Sequence, residues 1–193
     1  MREPLIVVEH LEPKLSEWLL AEYSHAAEIV GGRLLITNVK SDGERRRLSK
    51  VCEVRKESVA EIFRPRELLV LDPQARRRLR TEDLSRVRAV VIGGILGDDP
   101  PRGRTRRLLT ERLPGCIPRN IGRGQFSIDG SVYIVREIAA GRRLEDIPTV
   151  EDVEIPLEEG ISIILPFSYP LVDGRPLVSE RLVGYLRRKG ARF

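Results

Sequence analysis

Three stretches of this sequence combine residue types that handle ligands. The first is Leu71-Asp72-Pro73, and the second is Gly93-Gly94-Ile95-Leu96-Gly97-Asp98-Asp99-Pro100-Pro101-Arg102. The third runs from Arg119-Asn120-Ile121-Gly122 to Gln125-Phe126-Ser127-Ile128-Asp129. Clustered glycines let backbone approach a ligand closely and adopt positive φ. The glycine loop matches neither Gly-x-Gly-x-x-Gly nor a Walker A loop, because no Lys-Ser/Thr pair follows its last glycine; a dinucleotide or ATP phosphate cradle is disfavoured. Carboxylates beside such loops hold a cationic acceptor or receive a proton. Glu9, Asp98, Asp99 and Asp129 are the candidates, with Glu9 and Asp98 first; each also reads as a loop carboxylate that caps a helix or pairs with arginine.

Metal and disulfide chemistry are not expected. Cys52 and Cys116 stand far apart, and His10 and His25 are the only histidines. Zinc sites draw four N or S ligands in close pairs, and a disulfide framework needs more cysteines.

The elements that must position these loops follow from apolar periodicity. Leu5-Ile6-Val7-Val8 reads as a buried strand. Leu15, Trp18, Leu19, Tyr23, Ala26, Ala27 and Val30 lie on one face of a helix over 14–30, stopped by Gly31-Gly32. A second strand over 33–39 is followed by a charged turn at 41–44, and 45–63 is helical or irregular without a clear division. Further strands are expected at 67–71, 89–92 and 116–121, and helices from Thr81, over 104–113 and over 129–140. The last is closed by Gly141. This alternation predicts an α/β fold with a mostly parallel sheet covered by helices on both faces, and in such sheets ligands bind at the carboxyl ends of the strands. The tail from 144 carries one clear strand over 161–165, a turn at Asp173-Gly174 and a basic terminal helix.

With 193 residues, 41% hydrophobic and 33% charged, the chain suits a globular protein and excludes a disordered chain, a collagen-like fibre and a coiled coil. No apolar run approaches the roughly 20 residues of a membrane span, and no signal-peptide pattern opens the chain; a cytoplasmic protein is expected. The net charge is +5, with 29 arginines against five lysines. Arginine's planar fork suits phosphates, so an RNA or ribonucleoprotein partner is one reading. Surface arginine pairing, as at high temperature, is the other.

Gly93-Gly94-Ile95-Leu96-Gly97-Asp98, followed by Pro100-Pro101-Arg102 and Arg104-Thr105, resembles the signature of one branch of the SPOUT methyltransferases. That branch is also similar at Glu9-His10, at Ser16-Glu17-Trp18 with Glu22-Tyr23-Ser24, at Leu71-Asp72-Pro73, at Gln125 with Asp129, and at Pro166-Phe167 with Tyr169. It includes archaeal proteins described as predicted RNA methyltransferases and eukaryotic enzymes that methylate arginine in a ribosomal protein. The resemblance implies a deep C-terminal trefoil knot, a rare departure from unknotted folding, whose loops bind S-adenosylmethionine. Carried over by position, the cofactor residues are Leu71, Asp72, Pro73, Gly93, Gly94, Ile95, Leu96, Gly97, Asp98, Ile121, Gly122, Gln125 and Ser127. Catalytic roles fall to Glu9, Asp98 and Asp129, and acceptor contacts to His10, Asp99, Arg102 and Arg104. Ile95, Leu96 and Ile121 offer an apolar slot for adenine. The expected organisation is a methyltransferase domain over 1–143 with a C-terminal extension over 144–193 packed on it. SPOUT enzymes are usually dimers, and the extension is placed to cover that face, so monomer and homodimer both stand.

The expected function is S-adenosylmethionine-dependent methylation of the translation apparatus, on an arginine side chain of a ribosomal protein or ribosomal subunit. A guanidinium stays charged, and carboxylates orient it best; Glu9, Glu12, Asp98, Asp99 and Asp129 are expected to gather around the cleft. The alternatives are an rRNA or tRNA acceptor, favoured by the arginines at 102–107, and a non-catalytic RNA-binding module. A small nucleotide binder lacks a phosphate motif.

Overall fold

A computed structural model of the chain describes residues 3–98, 100–158 and 160–190. Its centre is one parallel sheet of β1 (Leu5–His10), β2 (Leu34–Thr37), β3 (Glu53–Val54), β4 (Leu68–Leu71), β5 (Ala89–Gly94) and β6 (Ile117–Arg119). The strands lie in the order β3-β2-β1-β5-β4-β6. Val7 pairs in register with Leu35 on one side and Val91 on the other. Alternate residues point to opposite faces, so Ile6, Val8, Ile36, Leu69 and Val90 feed one core and Val7, Leu35, Leu68, Val70 and Val91 another.

Helices cover both faces. α1 (Glu17–Ile29) starts where the Ser16 side chain accepts from Leu19 N and ends as Gly31 and Gly32 turn to positive φ. It packs Leu19, Tyr23 and Ala26 on the first face, beside Val132, Val135 and Ile138 of α6 (Ile128–Ala139). On the second face lie Val59, Leu109 and Leu113.

Some elements depart from the sequence reading. The charged turn expected at 41–44 opens α2 (Asp42–Leu48), capped by Ser41. The undivided stretch resolves into the rest of α2, β3 and α3 (Val59–Ile62). Thr81 starts only α4 (Thr81–Leu84). The helix expected over 104–113 ends early, as α5 (Arg104–Leu108) followed by a 3-10 turn at Thr110–Arg112. There the Thr110 hydroxyl donates to Asp72 and Leu109 leaves helical backbone space.

The tail holds more sheet than the single strand expected. β8 (Val153–Glu158) and β9 (Ile161–Leu165) form an antiparallel hairpin. β10 (Tyr169–Val172) pairs with both β7 (Thr149–Val150) and β11 (Arg175–Pro176), turning at Asp173-Gly174. These strands are two to six residues long and interleave prolines and charges, which masks their period. The basic helix α7 (Glu180–Gly190) closes the chain. Its Leu182 and Leu186 join Val153, Leu165 and Tyr169 in a third core against Ala21 of α1. Among the described residues no helix is long and apolar enough to cross a membrane.

Candidate active site

The three loops singled out in the sequence converge on one cleft of about 260 Å³ at the carboxyl ends of β5, β4 and β6. Leu71, Asp72, Pro73, Gly93, Ile95 and Gly97 line it, together with Asp98, Arg102, Arg104, Ile121, Gly122 and Gln125. Ile92, Phe126 and Ile128 add apolar wall.

Buried polar links hold the loops together. The Asp72 carboxylate accepts from Arg106 Nε and Thr110 Oγ1, each at 3.0 Å, and from Gln74 N at 2.8 Å, which ties the first loop to α5. Asn120 N donates to Arg77 O at 2.9 Å and Leu79 N to Asn120 O at 2.8 Å, joining the first loop to the third. Gln125 links the second loop to the third by accepting from Asp98 N at 3.3 Å and donating to Asp98 O at 3.2 Å. Ser168 N donates to Gln125 O at 2.9 Å, so the tail also braces this wall. Arg104 spans the glycine loop: its Nε donates to Asp98 Oδ2 at 2.7 Å, its Nη1 to Glu12 Oε1 at 2.9 Å and its Nη2 to Leu96 O.

The remaining sequence-chosen residues lie elsewhere. Gly94 does not line the cleft; a Cβ there would meet the Tyr23 hydroxyl and Glu9 O, so its glycine identity serves packing between β5 and α1. Leu96 faces the core, with its N–H on Glu12 Oε1 at 2.9 Å. Ser127 caps α6 by accepting from Gly130 N at 3.1 Å. Asp99 lies outside the described residues.

Glu9, a first choice for catalysis, is buried away from the cleft wall. Its carboxylate accepts from Ser58 Oγ at 2.6 Å, from Val59 N at 2.9 Å and from Thr37 Oγ1, fastening α3 to the sheet. His10 contacts the Tyr23 hydroxyl at 2.9 Å and lines a separate, more open hollow with Glu12 and Lys14. Burial pushes its imidazole pKa down, against the pull of Glu44, Glu12 and Glu9. Asp129 is buried too, accepting from His25 Nδ1 at 2.7 Å and Gly130 N at 2.9 Å. Burial would lower the His25 pKa, but the Asp129 hydrogen bond and charge outweigh it and raise it.

Among the described residues the expected gathering of acids around the cleft therefore does not occur. Glu9 and Asp129 serve scaffolding contacts, Glu12 and Asp98 share Arg104, and Asp72 is sealed under Arg106. Asp98 is the partly exposed carboxylate of the cleft wall, and among the described residues its Oδ1 accepts no hydrogen bond. No group of three His, Cys, Asp or Glu side chains is arranged for a metal among the described residues. Burial and Glu53 push the Cys52 thiol up to about 12, which leaves it no thiolate character at neutral pH.

Glu22 was not singled out as a site residue. It is buried, accepting from Trp18 Nε1 at 2.6 Å and from Ile128 N at 2.9 Å, and it fixes the start of α6 under the third loop. Burial, and then the nearby charge of Asp129, raise its pKa to about 8. A sequence signal existed: Glu22 sits between Leu19, Tyr23 and Ala26 on the apolar face of α1, four residues after Trp18. The Tyr169 hydroxyl is buried near the same carboxylates with no hydrogen-bond partner among the described residues.

A family model described as Protein arginine N-methyltransferase SFM1-like matches residues 5–192. Protein arginine N-methyltransferase SFM1 of Saccharomyces cerevisiae is 31% identical over 202 residues, which cover 96% of this chain and 95% of that protein. The crystal structure of the yeast arginine methyltransferase SFM1 complexed with SAM aligns with a TM-score of 0.87 at 27% identity, covering 100% of this chain and 93% of that one. The dual specific Trm10 of Thermococcus kodakaraensis aligns with a TM-score of 0.60 at 16% identity over 74% of this chain and 96% of its own, a likeness of fold alone.

Proposed function

The chain belongs to the SFM1-like protein arginine N-methyltransferase family, and from that premise we propose that it methylates an arginine side chain of a ribosomal protein, using S-adenosylmethionine. The observation that carries this reading is the cleft itself, where three backbone-rich loops meet at the carboxyl edge of a parallel sheet. Its chemistry fits the cofactor. Leu71, Ile95, Ile121 and Phe126 give apolar walls for a purine, and Gly93 and Gly122 bring backbone to the surface. When bound, S-adenosylmethionine supplies a methyl carbon already activated by its sulfonium leaving group.

The chain's own residues then orient and deprotonate. Methylating a guanidinium nitrogen replaces an N–H with N–CH3, so one proton must leave. Asp98 is our candidate to accept it, because it lines the cleft, its Oδ1 accepts no hydrogen bond among the described residues, and Arg104 Nε holds its Oδ2. Gln125 holds the Asp98 backbone from both sides, which keeps the carboxylate in one position. Glu9 and Asp129, in this reading, act on the scaffold. The trefoil knot belongs to the same reading, supported by the 74–80 loop folding over the exit of β6 through Arg77 and Asn120.

The test is transfer of radiolabelled methyl from S-adenosylmethionine into cell extract, with protein and RNA fractions counted separately and the protein hydrolysed to amino acids. Methylarginine in a ribosomal protein is the expected product. Label that survives protease and is released by nuclease would overturn the protein acceptor. Asp98→Asn should lower kcat by about 100-fold, the scale of a lost general base, while calorimetry finds S-adenosylhomocysteine affinity within a few-fold of wild type.

A further inference from the structure

We propose that the arginine rim of the cleft docks on the phosphate backbone of folded RNA beside the acceptor arginine, so that the enzyme recognises a ribonucleoprotein surface. This rests on the methyltransferase reading above and adds a partner to it.

The charge is concentrated. Residues 73–80 and 100–123 contain eleven arginines and a single acid, Glu111, so they carry +10 where the whole chain carries +5. The remainder is net acidic. The fold brings the two stretches together, through Arg77 O and Leu79 N on Asn120 and through Asp72 on Arg106. Three of the eleven have structural work: Arg104 on Glu12 and Asp98, Arg106 on Asp72, and Arg119 on Asp83. Of the other eight, Arg102 lines the cleft, and the rest flank it: Arg76, Arg77, Arg78 and Arg80 follow the first loop, Arg107 lies in α5, Arg112 in the 3-10 turn after it and Arg123 in the third loop. All are exposed, and none makes an ion pair among the described residues; Arg76, Arg77, Arg78, Arg107 and Arg123 are examples. Elsewhere pairing is more frequent: half of the other described arginines, Arg33, Arg45, Arg47, Arg55 and Arg143 among them, sit on a carboxylate, against three of the eleven here.

Surface pairing for stability accounts for those paired arginines and not for the rim. Crowded like charge disfavours the compact state through self-repulsion, which a polyanion relieves. Both stretches lack lysine, and arginine's planar fork matches phosphate geometry. A protein partner would call for an apolar or aromatic centre. Among the described residues the rim has none: the exposed large apolar side chains are Ile62, Ile161 and Ile164, outside both stretches. A polar, strongly positive surface is the nucleic-acid type.

The test measures binding of a fluorescent RNA hairpin by anisotropy across potassium chloride concentrations, for the full chain and for the triple variant Arg76→Ser, Arg77→Ser, Arg78→Ser. Wild type should bind at micromolar concentration near 0.1 M salt and weaken steeply with added salt. The triple variant should bind at least tenfold more weakly, with the slope of log K against log salt reduced by about two to three. Its S-adenosylhomocysteine affinity and its labelling of RNA-free ribosomal proteins should stay at wild-type level, while labelling of intact ribosomal subunits falls about tenfold. Unchanged RNA affinity in the variant, or a poly-glutamate peptide binding as tightly as RNA, would overturn the proposal. The two readings fail separately. If no protein is labelled although RNA binds as described, the arginine acceptor is lost and the rim stands; if RNA-free protein is labelled but RNA does not bind, the reverse holds.

Discussion

Gly94 and Gly97 stand three residues apart in one motif, yet their missing side chains serve different purposes. A Cβ on Gly94 would press on the Tyr23 hydroxyl and, at 2.9 Å, on Glu9 O. Overpacking of this kind costs about 1–3 kcal/mol. Gly94→Ala should therefore lower the urea midpoint, while the folded fraction binds S-adenosylhomocysteine within about twofold of wild type. A Cβ on Gly97 would meet the Gln125 amide and the Phe167 ring instead. Gly97→Ala should displace the side chain that joins two of the cleft loops, weakening calorimetric affinity by about tenfold or more alongside a similar overpacking cost in stability. Equal effects of the two variants on affinity would refute this division. The sequence marked both glycines for one reason, because a glycine's use depends on which neighbour faces it. The same limit applies to the acids. Glu9 is a first candidate in the sequence as a carboxylate near the ligand loops, but its partners Ser58 and Val59 are about fifty positions away.

At the scale of elements, the contact between α1 and α6 carries a pH dependence. Glu22 joins the two helices through Ile128 N, and its pKa is raised to about 8 by burial and by Asp129, against an ordinary value of 4.5. The folded chain thus binds this proton more tightly than the unfolded chain does. Stability from this source is full below about pH 4.5 and is lost as pH rises through about 8. His25, raised on balance by Asp129, shifts stability in the same direction above its ordinary 6.5. Urea midpoints should fall between pH 5 and 8 in wild type, and Glu22→Gln should remove most of that slope. A variant with the wild-type slope would place the titration elsewhere. Helix positions themselves were legible: the apolar steps of α1 and the glycines ending it appear in the sequence, and Ser127 and Gly141 bracket α6. The early end of α5 was not, because the group that holds Thr110 is Asp72 on another loop.

At the scale of the whole molecule, the tail and the sheet domain share structure. Leu182 and Leu186 of α7 pack in one core with Ala21 of α1, and Ser168 braces Gln125 at the cleft. Leu182 is 1% exposed, so Leu182→Ala should cost about 2–5 kcal/mol. Thermal unfolding should remain a single transition at a lower Tm; two resolved transitions would mean that the extension over 144–193 unfolds on its own. By itself the sequence determined the parallel α/β core, since fully apolar runs such as Leu68 to Leu71 suit only strands buried on both faces. It also located the three loops that meet at the cleft, since glycine and proline mark where backbone must turn, and its glycine motif pointed to the family. Only the tertiary structure decided which charged side chains remain free for chemistry. Asp129 meets His25 across 104 positions and Glu12 meets Arg104 across 92. No local period records such pairings, so only the fold shows that Asp98 lines the cleft while Glu9 is engaged with Ser58 and Val59.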